Sequence, residues 1–233
     1  MSTTASDLAG LATLLADETR AAMCLALLDG RAWTAGELAA HAGVARSTAT
    51  EHLHRLIDGG LLAEERQGRH RYVRLADASV AHLLEDLSAR LRPSAAPPRG
   101  LRAATAAEAL RRGRTCYDHL AGRLGVAVTD AMTAAGLIDQ HRGFAVTEAG
   151  MAWLTGPAGL DPAAFAQTKR PIARGCLDWT ERRPHLAGVA GARLCERFIT
   201  LGWVVRIGTG RAVRVSPAGQ RGLHDLLGIA AVD

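Results

Sequence analysis

The chain repeats itself, and the repeat limits its folds more than any other feature. Arg114, Cys116 and Asp118 recur as Arg174, Cys176 and Asp178, an offset of 60. His119-Leu120-Ala121-Gly122 recurs as His185-Leu186-Ala187-Gly188, and Gly125 and Gly136 recur as Gly191 and Gly202, all at an offset of 66. The second copy therefore carries six extra residues, roughly Thr180 to His185. Leu137 to Gly150 then matches Trp203 to Gly219 after three more inserted residues. Each copy reads as helix, glycine, strand, tight turn, strand and a short helix capped by Thr147 or Ser216. Two truncated winged-helix-like units result, at about 114–155 and 174–228. A pseudo-twofold relation between them would bring equivalent residues to a shared cleft, although the repeated glycines also suit turns and close packing alone.

Upstream, Pro93 to Gly100 (PSAAPPRG) interrupts periodic sequence on both sides and reads as a stiff linker. The expected organisation is a first domain at 1–92, a linker at 93–100 and a second domain at 101–233. In the first, Leu8, Leu11, Leu14 and Leu15 mark one helical face, and Thr19 to Leu28 gives a second helix stopped at Asp29-Gly30. Thr34 with Glu37 forms a capping box that opens a short helix ending at Gly43. Ala45 to Ile57 is a further helix, closed by Gly59-Gly60. Two strands, Leu61–Glu65 and His70–Leu75, precede a last helix with Val80, Leu83, Leu84, Leu87 and Leu91 on one face.

This order predicts a mainly α chain with short β-hairpins (α+β), a winged helix-turn-helix followed by the duplicated domain. Residues 7–91 resemble the ArsR family of bacterial transcription regulators. The resemblance is carried by LADETR at the second helix, Glu37-Leu38-Ala39 before Gly43-Val44 in the turn, Ser47-Thr48 with His52-Leu53 in the following helix, and a basic wing ending in Tyr72 and Leu75. It implies that the 45–57 helix enters the major groove. Ala49, Leu53 and Leu56 would pack inward, leaving Arg46, Ser47, Thr48, Thr50, Glu51 and His54 for bases and phosphates of a double-stranded operator. Arg66, Arg69, Arg71 and Arg74 stand within nine residues without an acid, which suits backbone or minor-groove contact. The resemblance also implies a homodimer on an inverted repeat, with half-sites roughly 34–36 Å apart.

The sequence departs from relatives that bind metal through a Cys-x-Cys pair in the third helix, because ELAAHAG holds no cysteine. His82 stands alone in the last helix, without the paired acid and imidazole ligands of other members. Cys24 and Cys195 read as core thiols. Sensing therefore falls to the duplicated half. Arg114, Tyr117, Arg174 and Trp179 are candidates for an organic effector pocket, joined by Asp118 and Asp178. Cys116 and His119, three apart near a helix start, would combine with Cys176 and His185 in a tetrahedral N₂S₂ site for a transition metal or metalloid, or serve as redox-active thiols. Trp179 at the position aligned with His119, and the irregular Cys176 to His185 gap, leave the pairing open.

The net charge of +5 does not locate the nucleic-acid surface. Residues 1–99 hold 11 basic and 12 acidic side chains, and residues 100–233 hold 17 and 11. The second half, with Arg206, Arg211 and Arg214 on its last hairpin, is thus an alternative DNA-contacting module. No phosphate loop, dinucleotide fingerprint, zinc-protease motif or oriented Cys-His nucleophile argues for an enzyme. Four scattered cysteines, with no apolar run of membrane-spanning length and no signal peptide, point to a cytoplasmic protein with no membrane partner.

Overall fold

The computed structural model describes residues 4–68, 70–91, 101–141, 143–166, 170–208 and 210–230. It is an α+β chain that divides into two compact units, one up to Leu84 and one from Glu85. The linker at 93–100 lies outside the described residues.

The first unit runs α1 (Ala5–Leu15), α2 (Glu18–Leu27), β1 (Trp33–Thr34), α3 (Ala35–Ala42), α4 (Arg46–Asp58), β2 (Leu62–Gln67) and β3 (His70–Leu75), and leads into α5 (Ala78–Arg90). Local chemistry sets these boundaries. Thr4 with Asp7 and Thr34 with Glu37 form capping boxes on α1 and α3. Gly43, at φ 69°, ends α3 in the left-handed region that a side chain would disfavour. Met23, Leu27, Leu38, Ala49, Leu53, Leu56, Val73 and Leu75 form the core. The strands form an antiparallel sheet in the order β1-β3-β2, with Arg66 opposite Arg71 and Trp33 opposite Val73. This is the winged helix-turn-helix layout, with α4 as its second helix and the β2–β3 hairpin as its wing.

After α6 (Leu101–Arg112), the second unit contains the two copies. The first is β4 (Arg114–Cys116), β5 (His119–Ala121), α7 (Gly122–Ala134), β6 (Ile138–Asp139), β7 (Ala145–Val146) and α8 (Glu148–Thr155). A short helix, α9 (Ala163–Ala166), comes before the second copy. That copy is β8 (Arg174–Leu177), β9 (Pro184–Ala187), α10 (Gly188–Thr200), β10 (Val204–Arg206), β11 (Val213–Val215) and α11 (Pro217–Leu227). Each copy thus begins with a hairpin that the periodicity did not reveal. The Cys116/His119 pair, expected near a helix start, sits on paired strands just ahead of α7, and the Cys176/His185 pair sits on paired strands ahead of α10. Segments of three or four residues are too short to show a period of two, and the Leu-Ala-Gly run blends into the helix behind it.

The copies pack reciprocally and share one core, in which Leu124, Met132, Leu154, Leu186, Leu194, Phe198, Val204 and Leu223 are buried. α7 packs on β9 and α10 on β5. Gly150 and Gly219 occupy equivalent close approaches: a Cβ there would lie 2.0 Å from the Leu137 carbonyl oxygen and 2.1 Å from that of Trp203. No helix among the described residues is long and apolar enough to cross a membrane.

Candidate metal centre and nucleic-acid interface

The two opening hairpins set the geometry of the centre. In β4–β5, Cys116 pairs directly with His119 across a two-residue turn, with Tyr117 at φ 58°. In β8–β9, Cys176 pairs directly with His185, and the six additional residues, 179–184, lengthen the connection between them. His185 is therefore the structural counterpart of His119, and Trp179 belongs to the loop. The reciprocal packing of the copies places the hairpins face to face. Cys116 Sγ lies 3.8 Å from Cys176 Sγ, and the two imidazoles stack with centroids 5.1 Å apart. The potential ligand atoms of Cys116, His119, Cys176 and His185 all lie within 4.8 Å of one another, and all four residues are buried. Two equivalent glycines stand beside the imidazoles: a Cβ at Gly125 would lie 2.3 Å from the Leu120 carbonyl oxygen and 3.6 Å from His185 Cβ, and one at Gly191 would lie 2.3 Å from the Leu186 carbonyl oxygen and 3.3 Å from His119 Cβ.

An aspartate stands behind each imidazole. Asp118 Oδ1 is 3.1 Å from His119 Nδ1, and Arg170 grips the same carboxylate at 2.5 and 3.1 Å. Asp178 Oδ2 is 3.5 Å from His185 Nδ1 and accepts from Arg114 Nη2 at 2.9 Å and the Gly122 amide at 2.7 Å. Carboxylates in this position fix the ring and direct its other nitrogen toward a ligand. Burial alone would raise both carboxyls. The His119 and Arg170 contacts at Asp118, and Arg114 with the Thr180 and backbone donors at Asp178, outweigh it and hold both well below the usual carboxylate range.

The thiols are held unequally. A hydrogen bond from Cys116 stabilises the Cys176 thiolate and lowers its pKa against the cost of burial, with His119 and His185 adding to the effect. Burial raises Cys116, and its bond to Cys176 and the nearby Glu85 carboxylate raise it further. For His119, burial pulls the imidazole down, but its contacts with Asp118 and Cys176 outweigh that and the net shift is upward. Neither ring nitrogen of buried His185 has a well-aligned hydrogen-bond partner among the described residues. Buried polar atoms with poorly aligned partners are costly, and a bound ion would give one of these nitrogens a direct ligand bond.

The donor set also fits a metal on distance. A tetrahedral ion with metal–sulfur bonds of about 2.3 Å separates its two sulfurs by about 3.8 Å, the spacing found between Cys116 and Cys176. Two thiolates and two imidazoles suit a borderline divalent ion such as zinc or cadmium.

Of the residues considered for an organic pocket, Arg114 and Trp179 lie against each other. Arg114 is wholly buried against Asp178, with its guanidinium 4.7 Å from the Trp179 ring centroid. Arg174 is half-buried, and its Nε and Nη2 lack hydrogen-bond partners among the described residues. Tyr117 lines a separate cleft of about 700 Å³ with Asp118, Arg170, Arg193, Glu196 and Arg206. Cys24 and Cys195 are buried, each thiol pushed up to about 12 by burial, and take no part in the centre.

In the first unit, α4 buries Ala49, Leu53 and Leu56 and exposes Arg46, Ser47, Thr48, Thr50, Glu51 and His54. Glu51 is partly engaged by Arg55 at 2.7 Å. The wing carries less free charge than its sequence suggests. Glu64 pairs with Arg71 and lies 3.4 Å from Arg66, while Glu65 lies 3.4 Å from Arg74. The acids precede the basic run in sequence, and antiparallel pairing folds them back on it. Arg69 lies outside the described residues. On the last hairpin of the second unit, Arg206 and Arg214 are exposed, whereas Arg211 turns inward to Glu85.

Comparison with known proteins places this arrangement. A helix-turn-helix domain model matches residues 15–65. The HTH-type transcriptional regulator YdfF of Bacillus subtilis is 36% identical over 215 residues, which span 92% of this chain and 94% of YdfF. The HTH-type transcriptional regulator CmtR of Mycobacterium bovis is 43% identical over 82 residues, 35% of this chain and 69% of CmtR. Among solved structures, the cadmium metal-sensor CMTR of Mycobacterium tuberculosis is 42% identical, covering 34% of this chain and 81% of that one at a TM-score of 0.31. The homodimeric winged helix-turn-helix domain of Mb0332 from M. bovis is 28% identical, covering 35% and 75% at a TM-score of 0.33. The chain belongs to the HTH-type transcriptional regulators, and its first unit is of the ArsR type. It is a DNA-binding regulator, and the match to YdfF extends through the duplicated half.

Proposed function

We propose that the protein is a homodimeric repressor whose operator affinity is set by a divalent transition-metal ion held by Cys116, His119, Cys176 and His185. The observation that carries this reading is the convergence of four buried ligand atoms from two repeated hairpins within 4.8 Å. The second reading is an organic effector: of Arg114, Tyr117, Arg174 and Trp179, Tyr117 lines the cleft of about 700 Å³ and the other three do not. The relative named as a cadmium sensor matches only about a third of this chain, so the metal reading rests on this chain's own four ligands. We assign sequence reading to Arg46, Ser47, Thr48, Thr50, Glu51 and His54, and phosphate contact to Arg66, Arg69 and Arg71. Leu8 and Leu87, exposed apolar residues on α1 and α5, suit a dimer face. An ion that binds the DNA-free form better must weaken operator binding by the same factor. No catalytic role is assigned.

The test is fluorescence anisotropy of reduced protein on a duplex from its own upstream region, titrated with zinc, cadmium and arsenite. A Cys116→Ser/Cys176→Ser variant is measured beside it. Zinc or cadmium should release wild type from DNA and leave the variant bound. DNA binding indifferent to all three would reject the metal reading. Cobalt(II) binding should also give tetrahedral visible bands and a thiolate charge-transfer band that the variant lacks.

A further inference from the structure

The last turns of α5 are tied to the metal hairpins at two points that the centre itself does not require. Glu85 is only 2% exposed, and its Oε1 accepts from Arg211 Nη1 at 2.7 Å. Arg211 in turn accepts at its backbone carbonyl from the Thr115 amide, at 2.9 Å, next to Cys116. At the helix end, Arg182 Nη1 and Nη2 donate to the carbonyls of Ala89 and Leu91 at 2.5 and 2.7 Å. Arg182 sits in the loop between β8 and β9, the six-residue addition that distinguishes the second copy from the first, and holds φ at 56° there. A non-glycine residue in that region is strained and persists only where its surroundings hold it. The equivalent β4–β5 turn has two residues and no counterpart of Arg182. The contact with the end of α5 is thus made from the loop of the second copy.

We infer that occupancy of the Cys/His centre is transmitted along α5, with Glu85 and Arg182 as positioning residues. The inference rests on the metal reading above and adds its route of regulation. Binding has a mechanical consequence at these contacts. Tetrahedral coordination places nitrogen and sulfur ligands about 3.4–3.8 Å apart, so ligand atoms separated by as much as 4.8 Å must close by up to about 1 Å. The β8–β9 hairpin shifts with them, and its loop holds the α5 carbonyls through Arg182. α5 is continuous from Ala78 to Arg90, and the division between the units falls within it. Movement at its end therefore reaches the element that follows the wing.

The experiment is backbone amide hydrogen exchange across α5 in the full chain, with and without equimolar zinc, for wild type, E85Q and R182A. Zinc binding is measured in parallel by competition with a chromophoric chelator. In wild type, zinc should change α5 exchange by on the order of tenfold. R182A should bind zinc as wild type does, E85Q should still bind zinc, and both should lose most of that response. A merely structural role would change exchange equally with and without zinc. Zinc binding with an undiminished response in both variants would overturn the inference and leave the metal reading intact. Absence of zinc binding in wild type would overturn both. R182A tests an exposed side chain outside the core, so the result does not depend on E85Q folding.

Discussion

Replacing Arg114 by methionine should be among the most damaging single changes in the second unit. Arg114 and Asp178 are both 0% exposed at the side chain and meet at 2.9 Å. The guanidinium also donates to the Leu110 carbonyl at 3.1 Å and Thr180 Oγ1 at 3.2 Å, and it lies over Trp179. Methionine keeps much of the volume and the apolar contact with the ring, so packing loss is small. What remains is an aspartate buried without its cation, for which breaking a buried pair costs about 3–5 kcal/mol. The Gly122, Thr180 and Glu181 donors to Asp178 persist and place the expectation near the lower end, about 3 kcal/mol. At roughly 2–4 °C per kcal/mol for a unit of this size, the melting temperature should fall by on the order of 10 °C. Chemical denaturation of wild type, R114M, D178N and R114M/D178N closes the cycle. The double variant should recover a large part of the loss, since it removes the stranded charge. The pH dependence follows from the depressed Asp178 carboxyl. Its stabilisation is complete above the unfolded value of about 3.9 and is lost as pH falls through the lower folded value. The gap between wild type and R114M should therefore narrow below about pH 4. A loss under about 1 kcal/mol at neutral pH, or one that does not respond to D178N, would refute the argument.

Three further outcomes are expected. Gly191→Ala would place a methyl group 2.3 Å from the Leu186 carbonyl oxygen, next to His185; zinc affinity should fall by on the order of 10–100-fold, whereas Gly10→Ala, which meets nothing within 4 Å, should leave it unchanged in the same chelator competition. Arg46→Ala should cost about 1–3 kcal/mol on the operator and relax its sequence preference, while Arg66→Ala should weaken operator and random DNA alike and reduce the salt slope by about 0.9; anisotropy over a salt series separates the two. Cys24 and Cys195, with thiols pushed up to about 12, should resist Ellman's reagent at pH 8 until the chain is unfolded.

Sequence by itself determined whatever depends on neighbours along the chain. The capping boxes, the Gly43 stop and the 3.6-residue spacing of Ala49, Leu53 and Leu56 are local, so the winged helix-turn-helix and its exposed α4 residues are legible in the order of residues alone. The duplication and the four candidate ligands are legible for the same reason, because a repeat preserves residue type and order. Tertiary structure alone decided which of those residues meet. The repeat shows a six-residue addition but leaves both Trp179 and His185 as counterparts of His119, and the pairing of β8 with β9 decides for His185. The 3.8 Å contact between sulfurs 60 residues apart requires the two copies to pack face to face. Glu64 and Glu65 fold back on the wing arginines, and Glu85 and Arg182 gain their roles at α5, through partners that only pairing and packing bring to them. Hydrophobic periodicity reports which face of an element is buried; it carries no information about which polar group waits on the other side.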